Sequence, residues 1–122
     1  MNGKFLLDTN FIIYALNAQL KLPSYHYYYS PITKIELLAY PKLTPQEHNA
    51  IMMLLNRMQM IDCDATVIDK TIAIRQTSGL KLPDSVVCAS AMVAGAILVT
   101  NDDRLHRVTG LTAINYHTFS AL

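Results

Sequence analysis

The sequence has no tryptophan, only two cysteines, and no more than four glycines and five prolines in 122 residues. So few chain breakers leave little room for long irregular segments. A chain that is 52% hydrophobic buries a core and does not stay disordered. Cys63 and Cys88 lack metal-ligand spacing and are too few for a stapled scaffold, so a reduced, cytoplasmic chain is the simpler expectation. His26, His48, His106 and His117 also lack zinc-like spacing. Neither sign of charge dominates: ten Lys and Arg against nine Asp and Glu leave +1. Bulk charge therefore advertises no nucleic acid, and such a substrate would have to be held by a local site. No signal peptide is expected, because Lys4 is followed by only three apolar residues before Asp8. The longest uncharged run, Ser85 to Asn101, is too short and too polar at its ends to cross a membrane. There is no internal repeat, and the expectation is one domain over residues 1–122.

What is present alternates between strand and helix signals. Phe5-Leu6-Leu7 reads as a strand buried on both faces, and Phe11 onward as a helix capped by Thr9 or Asn10. Tyr27 to Ser30 is a second strand, followed by a helix opened by Pro31 and carrying "TKIELLAY". Thr44-Pro45-Gln46-Glu47 is a capping box before a helix with Ile51, Leu54, Leu55 and Met58 on one face. Gln59 to Cys63 is a short strand. Asp64 caps a helix with Val67, Ile68, Ile72 and Ile74 facing inward, ended by Ser78-Gly79. A helix over Pro83 to Gly95 and strands over Ala96 to Thr100 and Thr112 to Tyr116 complete the pattern. Such alternation implies an α/β fold, a mainly parallel central sheet flanked by helices on both faces. The aromatic "YHYYY" fits a strand with one packed face better than a base-stacking platform. Met52, Met53, Met58 and Met60 read as helix packing or a partner surface.

Several acids stand where the local pattern wants apolar residues. Asp8 and Asp102 each follow an apolar strand, Glu36 lies within "IELLAY", and Asp84 opens a long uncharged helix. A parallel sheet brings strand carboxyl ends to one edge, where ligands bind. Any one of these acids alone is most simply a helix cap or a surface residue. Together, two carboxylates about 4 Å apart repel by about 4 kcal/mol at an effective dielectric near 20. A proton or a cation must relieve that, and hard oxygen ligands suit Mg²⁺ or Mn²⁺. Thr9, Asn10, Thr100 and Asn101 are placed to orient the acids or contact phosphate. Lys34, Lys81, Arg104 and Arg107 flank the acids and are candidate phosphate contacts, though lone surface charges are the ordinary reading of each.

The stretches "FLLDTNFII", "SPITKIELLAY", "LKLPDSVVCASAMVAGAILVTND" and "DDRL" together resemble the PIN-domain nucleases, in particular the toxin subunits of VapBC toxin–antitoxin pairs. The resemblance spans almost the whole chain, in order. It implies a single PIN-like α/β/α sandwich with Asp8, Glu36, Asp84 and Asp102 as catalytic acids. Of these, Asp8, Asp84 and Asp102 are the expected metal ligands. Ala89 and Ala91 match the small residues that follow the third acid, and Thr100 the hydroxyl residue before the fourth. Where family members often carry Phe, three residues past that acid, this chain has Leu105. The implied activity is endoribonuclease cleavage of structured RNA, with water activated by carboxylate-held Mg²⁺ or Mn²⁺, leaving 5′-phosphate and 3′-hydroxyl ends. The expected partners are an RNA substrate, a cognate small antitoxin and a second copy in a homodimer, with no membrane.

Two other function classes compete. "DTN" is similar to the start of phosphatases and receiver domains that form a phospho-aspartate. The phosphatase pattern wants an acid where Asn10 stands, and a receiver wants a late lysine that is missing beyond Lys81. A non-catalytic, partner-binding domain whose acids serve as caps is the third reading.

Overall fold

The computed structural model describes residues 3–122. Its frame is a five-stranded sheet in the order β3-β2-β1-β4-β5, every neighbouring pair parallel. The strands are β1 (Lys4–Leu7), β2 (His26–Tyr29), β3 (Gln59–Met60), β4 (Ile97–Val99) and β5 (Ala113–Ile114). Between and after them run α1 (Thr9–Asn17), α2 (Pro31–Leu38), α3 (Pro45–Leu55), α4 (Ala65–Ser78), α5 (Leu82–Ala94), α6 (Asp103–His106) and α7 (Tyr116–Ser120).

Alternate residues of the central strands feed two cores. Phe5, Leu7, Tyr27, Tyr29, Ile97 and Val99 pack on one face with Phe11, Ile12, Ile51, Leu55 and Phe119. Leu6, Tyr28 and Leu98 pack on the other with Val67, Ile74, Val87, Cys88 and Leu105. The layers are therefore helix, sheet, helix, as the alternation of elements implies. Phe5, Leu6, Leu7, Leu98 and Val99 are completely buried, each burial stabilising by about 1.5–3 kcal/mol. Small residues let α5 lie close: Ala89, Ala91 and Ser90 are fully buried, and Ser90 donates its hydroxyl to the Val86 carbonyl. The expected box at α3 is formed, with Thr44 and Glu47 bonding reciprocally. α4 and α5 both end at a left-handed glycine, Gly79 and Gly95.

Four local expectations need correction. The inward stripe of α4 is Val67, Thr71 and Ile74, while Ile68 and Ile72 stand about half exposed. Thr71 can be buried because its hydroxyl donates to the Val67 carbonyl, so the helix turns a polar residue inward. The tyrosine strand is packed on both faces, not one, because β2 is an interior strand between β1 and β3. Only His26 of β2 is exposed, its ring stacked on Tyr28 at 4.8 Å. Met58 and Tyr40 lie beyond the ends of α3 and α2. At the C-terminal end only Ala113–Ile114 pairs as strand; Asn115 then caps α7, so Tyr116 is the first residue of a helix. Both cysteines are free, and among the described residues no helix is long and apolar enough to cross a membrane.

Candidate active site

The sheet order reverses direction between β1 and β4, and the residues just past their carboxyl ends form the crevice expected of such a switch. Leu7 is in register with Val99, so Asp8 and Thr100 follow side by side, and the Asp8 N–H donates to the Val99 carbonyl at 3.3 Å. Asp8 is also the N-cap of α1: its Oδ1 accepts the Phe11 N–H at 2.7 Å. The cap is thus Asp8, not Thr9 or Asn10. The capping role and the site position coincide in one residue, because a strand end feeding directly into a helix needs an acceptor there.

Burial pushes the Asp8 carboxyl above its ordinary range, with the nearby Asp102 charge adding to it. Hydrogen bonds from the Thr100 hydroxyl, the Phe11 amide and the Tyr116 phenol oppose that rise. Tyr116 donates to Asp8 Oδ1 at 3.2 Å. Its ring stands edge-on to Phe11 at 4.9 Å and stacks on Tyr14 at 5.7 Å, which fixes the phenol. Burial and Asp8 together push the Tyr116 phenol up, so it remains a donor.

Thr100 joins two acids. Fully buried, it stands beside Asp8 across the paired strands, where its hydroxyl opposes the rise of the Asp8 carboxyl, and it accepts the Asp102 N–H at 3.1 Å. Its carbonyl lies 2.7 Å from His106 Nε2; a carbonyl only accepts, so Nε2 carries the proton. Asn101 Oδ1 accepts the Tyr116 N–H at 2.9 Å and ties α7 to the same turn. Asp102 caps α6 and is engaged by Arg104, whose guanidinium holds its carboxyl below the usual range. Arg104 also reaches Asp84 Oδ2 at 3.5 Å from the first turn of α5. The Asp84 and Asp102 charges raise the Cys88 thiol further, although burial is the main reason that it is pushed up to about 12.

Glu36, exposed on α2, is held differently. Thr9 Oγ1 lies 2.6 Å from Glu36 Oε1 and 3.0 Å from Thr33 Oγ1. Thr9 has a single hydroxyl proton, and an ionised carboxylate only accepts. The bonds therefore run from buried Thr33 to Thr9 and from Thr9 to Glu36. Asn10 is exposed on α1. Lys34, Lys81 and Arg107 make no hydrogen bond or ion pair with these acids among the described residues.

The structure thus brings Asp8 and Asp102 within electrostatic reach, links Asp84 to Asp102 through Arg104, and sets Glu36 beside Thr9. Among the described residues no three His, Cys, Asp or Glu side chains are drawn together tightly enough to hold a metal ion as they stand. The donor chemistry still suits a hard divalent cation. Asp8, Asp84 and Asp102 offer oxygen only, and one exposed guanidinium stands across two of them. Tyr116 is the site member that sequence reasoning missed. "NY" after the last strand carries no periodic signal, and its partner lies 108 positions away.

A family model described as PIN domain matches residues 5–111. Among solved structures, the chain is similar to VapBC2 from Rickettsia felis bound to a promoter DNA fragment, at 21% identity and TM-score 0.81, covering 93% of this chain and 98% of that one. It is similar to VapBC-1 from nontypeable Haemophilus influenzae at 21% identity and TM-score 0.74, covering 93% and 98%. It is also similar to VapBC-5, a toxin–antitoxin system of Mycobacterium tuberculosis, at 17% identity and TM-score 0.65, covering 93% and 97%. No curated protein sequence matches.

Proposed function

We propose that this chain, which belongs to the PIN-domain family, is a metal-dependent endoribonuclease and the toxin of a toxin–antitoxin pair. PIN domains are generally nucleases. The observation that carries the reading is the placement of Asp8 and Thr100 side by side past paired strand ends at the switch point of the sheet, with the buried Thr100 hydroxyl accepting the Asp102 N–H and the Asp102 charge acting on Asp8. A helix cap needs no such arrangement of adjacent strand ends.

Asp8, Asp84 and Asp102 are the residues to hold Mg²⁺ or Mn²⁺. When bound, such an ion supplies an acidified water and charge neutralisation at a phosphodiester. The chain's own groups do the positioning. Tyr116 and the Phe11 N–H fix the Asp8 carboxylate, and the Asp102 carboxylate is aimed by its cap bond to the Arg104 N–H. Glu36 is the exposed acid available to take a proton from the attacking water, oriented by Thr9. Thr9, Asn10, Thr100 and Asn101 support the acids. Lys34, Lys81, Arg104 and Arg107 are the candidate contacts to RNA phosphates.

A cognate small antitoxin is supported by the VapBC complexes that share the fold, and a homodimer and a cytoplasmic setting complete the reading. The shallow apolar groove between α1 and α3, about 380 Å³ and lined in part by Leu16, Leu20, Met53 and Leu54, would take the antitoxin's apolar side chains. A basic antitoxin residue would enter among the acids. Against a phospho-aspartate enzyme stands Asn10, exposed where a second acid is needed. The test is parallel assay of total tRNA and p-nitrophenyl phosphate: the reading expects cleavage of the first and no turnover of the second. The reverse would favour the phosphatase.

A further inference from the structure

Both ion pairs among the described residues belong to Arg104, and both lead into the acidic site. Its Nη2 lies 2.6 Å from Asp102 Oδ2 and 3.5 Å from Asp84 Oδ2, and its Nε lies 3.1 Å from Asp102 Oδ1. The Arg104 backbone N–H gives Asp102 Oδ1 another bond at 3.0 Å. Both Asp102 oxygens are therefore occupied, and one oxygen of Asp84 is shared. The other basic neighbours do not compete: among the described residues Lys34, Lys81 and Arg107 form no ion pair, and His106 is bound to the Thr100 carbonyl. The Arg104 side chain is 57% exposed. Its side-chain hydrogen bonds all go to these two carboxylates, and a side chain this exposed can rotate away without opening a cavity. A guanidinium and a divalent cation cannot use the same Asp102 lone pairs at once.

We propose that Arg104 has two working positions. In the metal-free protein its guanidinium bridges Asp84 and Asp102 as a resident counter-cation; metal entry releases it to grip a phosphate oxygen of the substrate beside the bond being cut. The proposal rests on the functional reading above and deepens it. Its chemistry follows from the fork of the guanidinium, which fits a carboxylate and a phosphate by the same paired geometry. The hand-over needs no backbone movement, because Arg104 stays on α6, two residues after Asp102. A cation stands against the carboxylates at both stages. Without metal, two carboxylates face one arginine; with metal and substrate, the arginine faces the added phosphate. A consequence follows that packing alone would not produce. Removing the guanidinium should strengthen metal binding and weaken substrate binding.

The experiment titrates Mn²⁺ into wild type, Arg104→Gln and Arg104→Lys without RNA, reading free Mn²⁺ by electron paramagnetic resonance. Steady-state cleavage of total tRNA at saturating Mn²⁺ is then measured on the same proteins. The expected result is Mn²⁺ binding about two- to fivefold tighter in Arg104→Gln, the range that exposed ion pairs support. The KM for tRNA should rise in the same variant, with Arg104→Lys between. Circular dichroism checks folding, which an exposed side chain should not disturb. Unchanged or weaker Mn²⁺ binding in Arg104→Gln, with metal-dependent cleavage intact, overturns the proposal alone. Tighter Mn²⁺ binding with an unchanged KM overturns the hand-over to substrate. A wild-type protein that binds no Mn²⁺ overturns the functional reading and the proposal with it.

Discussion

Tyr116 Oη lies 3.2 Å from Asp8 Oδ1, the same oxygen that accepts the Phe11 amide at 2.7 Å. Two donors use up the ordinary capacity of that oxygen. Tyr116→Phe keeps the ring contacts to Phe11 and Tyr14 and removes only the phenol. We expect Mn²⁺ affinity to fall by about tenfold to a hundredfold, the range for losing a hydrogen-bond partner of a metal ligand. The melting temperature should change little. An unchanged affinity in a calorimetric titration would remove Tyr116 from the site.

Asp8→Asn separates charge from cap. The folded Asp8 carboxyl titrates above its ordinary value because it is buried. A raised folded value means that its contribution to stability is full below the unfolded pKa, about 3.9, and is lost as pH rises through the folded value. Asn also caps helices well and never ionises. The metal-free Asp8→Asn protein should therefore melt higher than wild type at pH 7, and the gap should close near pH 3. A lower melting temperature at pH 7 would mean that the cap outweighs the buried charge. Asp102 has the opposite sign. Its carboxyl is held low by Arg104, so its contribution is present above the unfolded value and fades as pH falls through the folded one.

Thr9→Val tests the chain of hydroxyls. Thr33 is completely buried and has Thr9 as its side-chain partner. Losing that partner should cost about 1–3 kcal/mol in urea denaturation, the penalty of a stranded buried hydroxyl. Thr9→Ser should restore most of it. If Thr9→Val is as stable as wild type, the Thr33–Thr9–Glu36 order is wrong.

Fold and site were legible to different depths, for physical reasons. Phe5-Leu6-Leu7 and Ile97-Leu98-Val99 are strands buried on both faces, so their unbroken apolar runs announce them. The acids past their ends are conspicuous for the same reason. α6 and α7 are only four and five residues long, too short for any helical period to register. Ile68 and Ile72 misled because a helix face is chosen by what it meets in three dimensions, and Thr71 met the core with its hydroxyl already satisfied. The Tyr116–Asp8 bond and the reach of Arg104 to Asp84 join distant parts of the chain, so no local pattern could carry them.

Metal dependence of RNA cleavage tests the central claim most directly. Purified protein should cut total tRNA in Mg²⁺ or Mn²⁺, stop in EDTA, and resume when the ion is restored. Folded Asp8→Asn should be at least about a hundredfold slower under the same conditions, on the scale of losing a principal electrostatic group of a catalytic site. Undiminished cleavage in EDTA, or full activity in Asp8→Asn, would contradict the account.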